Sequence, residues 1–181
     1  MTLHVVKIPV ARVGALIGPE GKVKEELEGR SGTRIHVESE TGEVTIDDEK
    51  AFEPILVLKV RDVVRAIGRG FSPDNAIRLF QDDTYLDLVD ITDYVGKDQK
   101  DLERVRARVI GSGGKTRRAI EESTGVSVSI MGKTIGIVGD IAEVAIAREA
   151  VDMLLNGAAH ATVYKFLERK RKELRLHDIG L

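Results

Sequence analysis

Cysteine and tryptophan are both missing from this 181-residue chain. Without cysteine it can form no disulfide and no thiolate-based metal or redox site. Aromatic residues make up only 4 %, too few for a surface that stacks successive bases on rings. The four histidines, His4, His36, His160 and His177, are scattered, with no pair at helical i,i+4 spacing. Neither a metal site nor any cofactor is therefore expected. No Ser-His-Asp constellation stands out, so the chain reads as a non-enzyme. No apolar run approaches the roughly 20 residues of a membrane-spanning helix, and MTLHVVKIPVARVG lacks the apolar core of a secretory signal. Charge of one sign is not in excess either: 28 basic and 30 acidic side chains leave a net charge of −2. A polyanionic partner would have to be met by a local patch rather than by the whole surface. A cytoplasmic monomer without membrane association is expected.

What the chain does contain is a duplication. LIGPEGKVKEELEGRSGTRIHV begins at Leu16, and VIGSGGKTRRAIEESTGVSVSI begins at Val109, an offset of 93 residues. Gly18, Gly21, Lys22 and Gly32 match Gly111, Gly114, Lys115 and Gly125. Short glycine strings can coincide by chance. The amphipathic stretch, glycine stop and alternating strand that follow in the same register do not. Two units so widely spaced are small domains rather than turns of a solenoid.

Each unit has the same order of elements. LHVVKIP reads as a strand and ARVGALI as a short helix. KVKEELEGRSG is a helix closed by glycine. TRIHVES and GEVTID are strands, and FEPILVLKVRDVVRAIG is a long helix with Pro54 in its first turn. In the second unit YLDLVDI, KDLERVRARVI, KTRRAIEESTG, VSVSIM, TIGIVG and IAEVAIAREAVDMLLNG repeat the β-α-α-β-β-α order. The expected domains are residues 1–70 and 84–157, with 71–83 as a helical linker and 158–181 as a basic C-terminal helix.

The stretch RVIGSGGKT resembles a nucleotide-binding loop, but the spacing is wrong. A Walker loop ending at Gly114-Lys115-Thr116 would need a glycine where Val109 stands, and it should follow a strand. This turn joins two helices. G-x-x-G between two helices, inside β-α-α-β-β-α, is the arrangement of a type I K-homology (KH) domain, an α+β fold that binds single-stranded nucleic acid. The chemistry suits the spacing. Glycines carry no Cβ, so phosphates can approach the main-chain N–H groups. The next helix presents unpaired N–H groups and the positive end of its dipole. A bland reading competes, because glycines also make tight helix junctions.

The two turns differ in charge. Arg104 to Arg118 holds Arg104, Arg106, Arg108, Lys115, Arg117 and Arg118 and no acid. The matching stretch, Ala11 to Glu25, has Arg12, Lys22 and Lys24 against Glu20 and Glu25. Since phosphate neutralisation supplies much of the affinity for single strands, the main site is expected in the second unit. Its candidates are Arg104, Arg108, Val109, Ile110, Gly111, Ser112, Gly113, Gly114, Lys115, Arg117, Arg118 and Val128. Strand-edge backbone groups beside them can read bases. Gly18, Pro19, Glu20, Gly21 and Lys22 form a secondary RNA or protein contact. Lys165, Arg169 and Lys172, on the basic face of the C-terminal helix, join that secondary set.

In the linker, Ser72 can cap a helix that has Pro73 at its first position. IGPEGK, RAIGRGFSPDNAIRLF and VIGSGGKTRRAIEESTG together resemble the two-KH family that processes small-subunit ribosomal RNA, in its archaeal type. The family is the partner of the Nob-type endonuclease. The resemblance covers nearly the whole chain. It implies an assembly factor that binds single-stranded RNA near the 3′ end of the maturing small-subunit rRNA and contacts the processing endonuclease. The phosphate-facing role falls on Gly111 to Lys115. Gly18-Pro19-Glu20-Gly21 departs from the pattern. Two other functions stay open: a KH adaptor in RNA decay or translation, and a nucleotide-dependent enzyme.

Overall fold

A computed structural model of the chain describes residues 2–180. Two units meet between Asp82 and Asp83, and each is an α+β layer of helices on a three-stranded antiparallel sheet.

In the first unit β1 (Leu3–Lys7) leads into a 3-10 turn and α1 (Val13–Ile17). The G-x-x-G turn follows, then α2 (Lys22–Ser31). Gly32 ends α2 in the left-handed region, with its N–H on the Glu28 carbonyl at 2.8 Å. β2 (Arg34–Glu38) and β3 (Glu43–Asp47) then pair, and β3 also takes β1, giving the order β1-β3-β2. α3 (Pro54–Gly68) closes the unit. Proline at its first position costs no hydrogen bond there. Val57, Val60, Val64 and Ile67 recur at helical spacing and are buried, together with Leu16, Leu27, Ile35, Val44 and Ile46.

Of residues 71–83, set apart as a linker from sequence, 71–82 lie within the first unit. α4 (Pro73–Ala76) and a 3-10 turn pack on α3. The Ser72 hydroxyl accepts the Asn75 N–H at 3.3 Å, and Phe71, Ala76 and Leu79 are buried.

The second unit opens with β4 (Thr84–Asp90). A short helix that the sequence reading lacks, α5 (Thr92–Val95), precedes α6 (Gln99–Ile110). Asp98 caps α6, its carboxylate accepting the Lys100 and Asp101 N–H groups. After the second turn come α7 (Lys115–Thr124), β5 (Ser127–Met131), β6 (Thr134–Asp140) and α8 (Ile141–Leu155). The strand order is β4-β6-β5, the same topology as in the first unit. α9 (His160–Asp178) lies against α7 and α8. Val163, Phe166 and Leu167 of α9 join a core that includes Val105, Val109, Ile120, Val128, Ile135 and Ile137. The tail is thus part of the second unit.

One polar cluster ties three elements of this unit together. Arg148 on α8 donates to Asp87 of β4 at 2.9 Å and to Asp152 at 3.0 Å, and the Tyr94 hydroxyl of α5 donates to the same Asp152. That bond, with burial second, pushes the Tyr94 hydroxyl above its usual pKa.

Candidate nucleic-acid interface

The second turn is built by its glycines. α6 stops at Gly111, whose φ of 74° and ψ of 170° lie in a region open essentially to glycine alone. A Cβ there would sit 2.7 Å from the Thr116 nitrogen and closer still to its hydroxyl. Gly113 takes φ 59° with open space around it: a Cβ would meet nothing within 4 Å. Gly114, at φ 78°, caps α7, and its N–H reaches the Gly111 carbonyl at 3.1 Å. Ser112 and Gly113 are exposed. The result is a tight turn whose apex main chain is bare to solvent.

Cationic side chains frame this apex at the start of α7. Lys115, Arg117 and Arg118 are exposed. Arg118 donates to the Gly113 carbonyl at 2.8 Å, which sets its guanidinium on the turn itself. Lys115 extends over the ring of Tyr164, 5.6 Å from the centroid, and the Tyr164 hydroxyl shares a 2.9 Å hydrogen bond with Thr116. α9 is therefore an immediate neighbour of the turn.

Other candidates are placed differently. Arg104 is exposed but pairs with Asp101 on its own helix at 3.4 Å. Arg108 turns inward: its guanidinium donates to the Ala158 carbonyl, just beyond the end of α8, and the Arg108 carbonyl meets the His160 ring at 3.0 Å. Arg12 does the same in the first unit, donating to the Ile67 and Phe71 carbonyls at 2.8 Å each. Both arginines satisfy carbonyls at or just beyond the end of the closing helix. The Val109 and Val128 side chains, expected in the contact set, are buried in the core. Ile110 stays half-buried.

β5 is an outer strand of its sheet, and its edge supplies polar groups. The Val128 N–H points away from β6 and donates to Glu121 of α7 at 2.9 Å. Ile130 lies two residues on and shares that parity, so its N–H and C=O project the same way. The matching residues of the first unit repeat the bond: Ile35 N–H donates to Glu28 at 2.7 Å. Glu121 is thus a strand-edge acceptor.

The first turn has nearly the same backbone. Gly18, Glu20 and Gly21 sit at φ 74°, 55° and 76°, against 74°, 59° and 78° for Gly111, Gly113 and Gly114. Glu20 is the one non-glycine residue with positive φ among the described residues. Its exposed side chain lies 3.5 Å from Lys22. Where Arg118 braces the second turn, the first has Glu25. A phosphate approaching Pro19 and Glu20 meets a carboxylate. The conformation is strained for glutamate. Glu20→Gly is expected to stabilise the first unit by about 1 kcal/mol, the relief being offset in part by the greater freedom of an unfolded glycine. Urea denaturation checks this, and an unchanged or lower midpoint would show that the turn carries no such strain.

On α9, Lys165, Arg169 and Lys172 are exposed. Arg169 lies over the Phe166 ring at 5.8 Å, and Lys172 pairs with Glu168 at 3.2 Å. No group of three potential metal ligands occurs among the described residues, and no described helix is long and apolar enough to cross a membrane. Tyr164 is the residue that sequence reasoning missed. It lies 48 positions from Thr116, and no local pattern marks it.

Residues 85–172 match the model of a eukaryotic-type KH domain (type I), that of the second KH domain of Pno1, and residues 3–53 match the general KH domain model. A KH domain-containing protein of Methanocaldococcus jannaschii is 47% identical over 175 residues, 96% of this chain and 76% of its own. The pre-rRNA-processing protein Pno1 of Schizosaccharomyces pombe is 30% identical, over 88% of this chain and 67% of its own. The crystal structure of Dim2p from Pyrococcus horikoshii is similar at a TM-score of 0.86 and 45% identity, across 93% of this chain and 99% of that one. A second structure, an a/eIF2alpha–Dim2p–rRNA complex from the same organism, gives a TM-score of 0.88 at 44% identity over 95% of each chain. Fold, turns and matches together define a tandem KH-domain protein of the RNA-binding type. The chain belongs to the two-KH-domain Pno1/Dim2 family.

Proposed function

We propose that the chain is a single-stranded RNA-binding assembly factor for small-subunit rRNA maturation. It grips the rRNA near its 3′ end through the second G-x-x-G turn and guides the processing endonuclease to it. The observation that carries this reading is the exposed turn Gly111–Gly114, bare at its apex and framed by Lys115, Arg117 and Arg118. Phosphates can approach the main chain there and meet three cations at once. Bases then fall toward β5, where the Ile130 backbone offers a donor and an acceptor. The pre-rRNA-processing role of the Schizosaccharomyces relative and the rRNA in the Pyrococcus complex support the choice of RNA. The protein acts by binding rather than by catalysis, as a monomer in the cytoplasm. The first turn, with Glu20 at its apex, serves as an auxiliary or protein-facing contact.

A second reading has one specific observation in its favour. The Pyrococcus complex also contains a/eIF2alpha, which suits an adaptor to the translation machinery. Crosslinking RNA to the protein in cells and mapping it at nucleotide resolution separates the two. Precursor small-subunit rRNA near its 3′ end is the expected result, and mature messenger RNA would replace the first reading by the second. In vitro, log affinity should fall with log salt with a slope of about −2, from roughly 0.7 for each of three phosphates. A flat salt response would count against the cationic frame.

A further inference from the structure

We infer that the second unit holds a base-sized pocket outside the groove between the turn and β5, and that it takes one nucleobase of the same RNA strand. The pocket lies between α7 and α9 and has a volume of about 210 Å3. Lys115, Ala119 and Ser123 form one wall at i, i+4 and i+8 along α7, and Tyr164, Leu167 and Arg171 form the other. Glu168 also lines it, with its charge met by Lys172 at 3.2 Å.

Three observations point to a nucleotide as the occupant. The lining is mainly apolar, with an aromatic ring at one end, which suits the flat face of a base. Cations stand at both ends, Lys115 and Arg171, so a strand entering or leaving finds a partner for its phosphate. The pocket is also continuous with the turn, because Lys115 is the first residue after Gly114 and Thr116 is hydrogen-bonded to Tyr164 at 2.9 Å. The Lys115 ammonium rests over the Tyr164 ring. When it swings to a phosphate at the turn, the ring face is uncovered for a base. Lys115 and Tyr164 thus act as a pair: one releases the other's stacking surface as it takes up the backbone.

The inference rests on the second turn being where the RNA backbone lies, and the experiment separates the two. Affinities of the full chain are measured for single-stranded RNA matching the 3′ end of small-subunit rRNA, lengthened one nucleotide at a time at either end. The expected result is a step of about tenfold when one added nucleotide reaches the pocket, the size of one base stacked on an aromatic ring. Ala119→Leu fills the pocket from a helix position that favours leucine. It should abolish the step while keeping the affinity for the shorter RNA. Tyr164→Phe keeps the ring and should keep the step. In parallel, 5-iodouridine at the stepping nucleotide should photocrosslink to Tyr164 in the unmodified chain, which needs no variant to fold. A step unchanged in Ala119→Leu, the absence of any step, or crosslinks confined to β5 would each overturn the pocket while leaving the turn intact. Unaltered binding of the shorter RNA after acidic replacement of Ser112 and Gly113 would overturn the turn, and the pocket with it.

Discussion

Replacing Ser112 and Gly113 together by aspartate is expected to lower the affinity for single-stranded RNA about tenfold or more, with the second unit still folded. The loss has two sources. Charged hydrogen bonds are worth roughly 1.5–3 kcal/mol each, and a carboxylate at the apex both displaces a phosphate from the main-chain N–H groups and repels it. Two new charges therefore suffice for at least the 1.4 kcal/mol of a tenfold change. Folding should survive for reasons visible in the chain itself. A Cβ on Gly113 would meet nothing within 4 Å, and Glu20 already holds an acidic side chain at the matching position with φ 55°. Aspartate also tolerates the left-handed region better than most residues. Fluorescence anisotropy with labelled RNA, beside a thermal melt, reads both halves of the prediction. A folded variant that binds as tightly as the parent would reject the turn as the site. Pro19→Asp in the first unit serves as the control, and a greater loss there would reverse the ranking of the two turns.

Gly111→Ala should be the most damaging alanine substitution among the glycines of the second turn, costing about 3 kcal/mol to the stability of the second unit. Two penalties coincide. At φ 74° and ψ 170° the backbone is in a region almost closed to other residues, worth of order 1–3 kcal/mol. The added methyl would also lie 2.7 Å from the Thr116 nitrogen, main chain that cannot step aside without unwinding the start of α7. Gly113→Ala, by contrast, meets open space and should cost only about 1 kcal/mol, the ordinary penalty of left-handed backbone for alanine. Urea denaturation of each variant, with hydrogen exchange to localise the loss, tests the pair. Equal and small losses would mean that the turn is rebuilt easily. The rigid apex assumed for phosphate binding would then be gone.

Much of this architecture was legible because it is written locally and twice. The glycine stops, the period-2 strands and the 3.6-period helices all follow from neighbouring residues, and the second copy corroborates the first. The strong charge contrast between the two turns was also readable. What sequence could not supply was direction across long separations. Arg108 lies among basic residues in the chain, yet it spends its guanidinium on a carbonyl 50 residues away, that of Ala158 in the turn after α8. Val109 adjoins the turn in sequence, but its place on the inner face of α6 takes it into the core. α5 is too short to show a period. Tyr164 comes to the turn only because three apolar residues of α9, Val163, Phe166 and Leu167, dock that helix on α7 and α8.

The carboxylates of Glu28 and Glu121 have a consequence beyond recognition. A nucleic-acid groove beside an outer strand leaves that strand uncovered, and an uncovered strand is a template on which another chain can grow a shared sheet. In both units one rung of that template is already taken by a glutamate from the adjoining helix. A flexible oligonucleotide can bypass the occupied rung, because it needs only one or two contacts. A foreign β-strand needs several in succession and finds the run broken. The same acid that helps shape the groove thus interrupts β2 and β5, two of the four outer strands, as templates for fibrillar self-association.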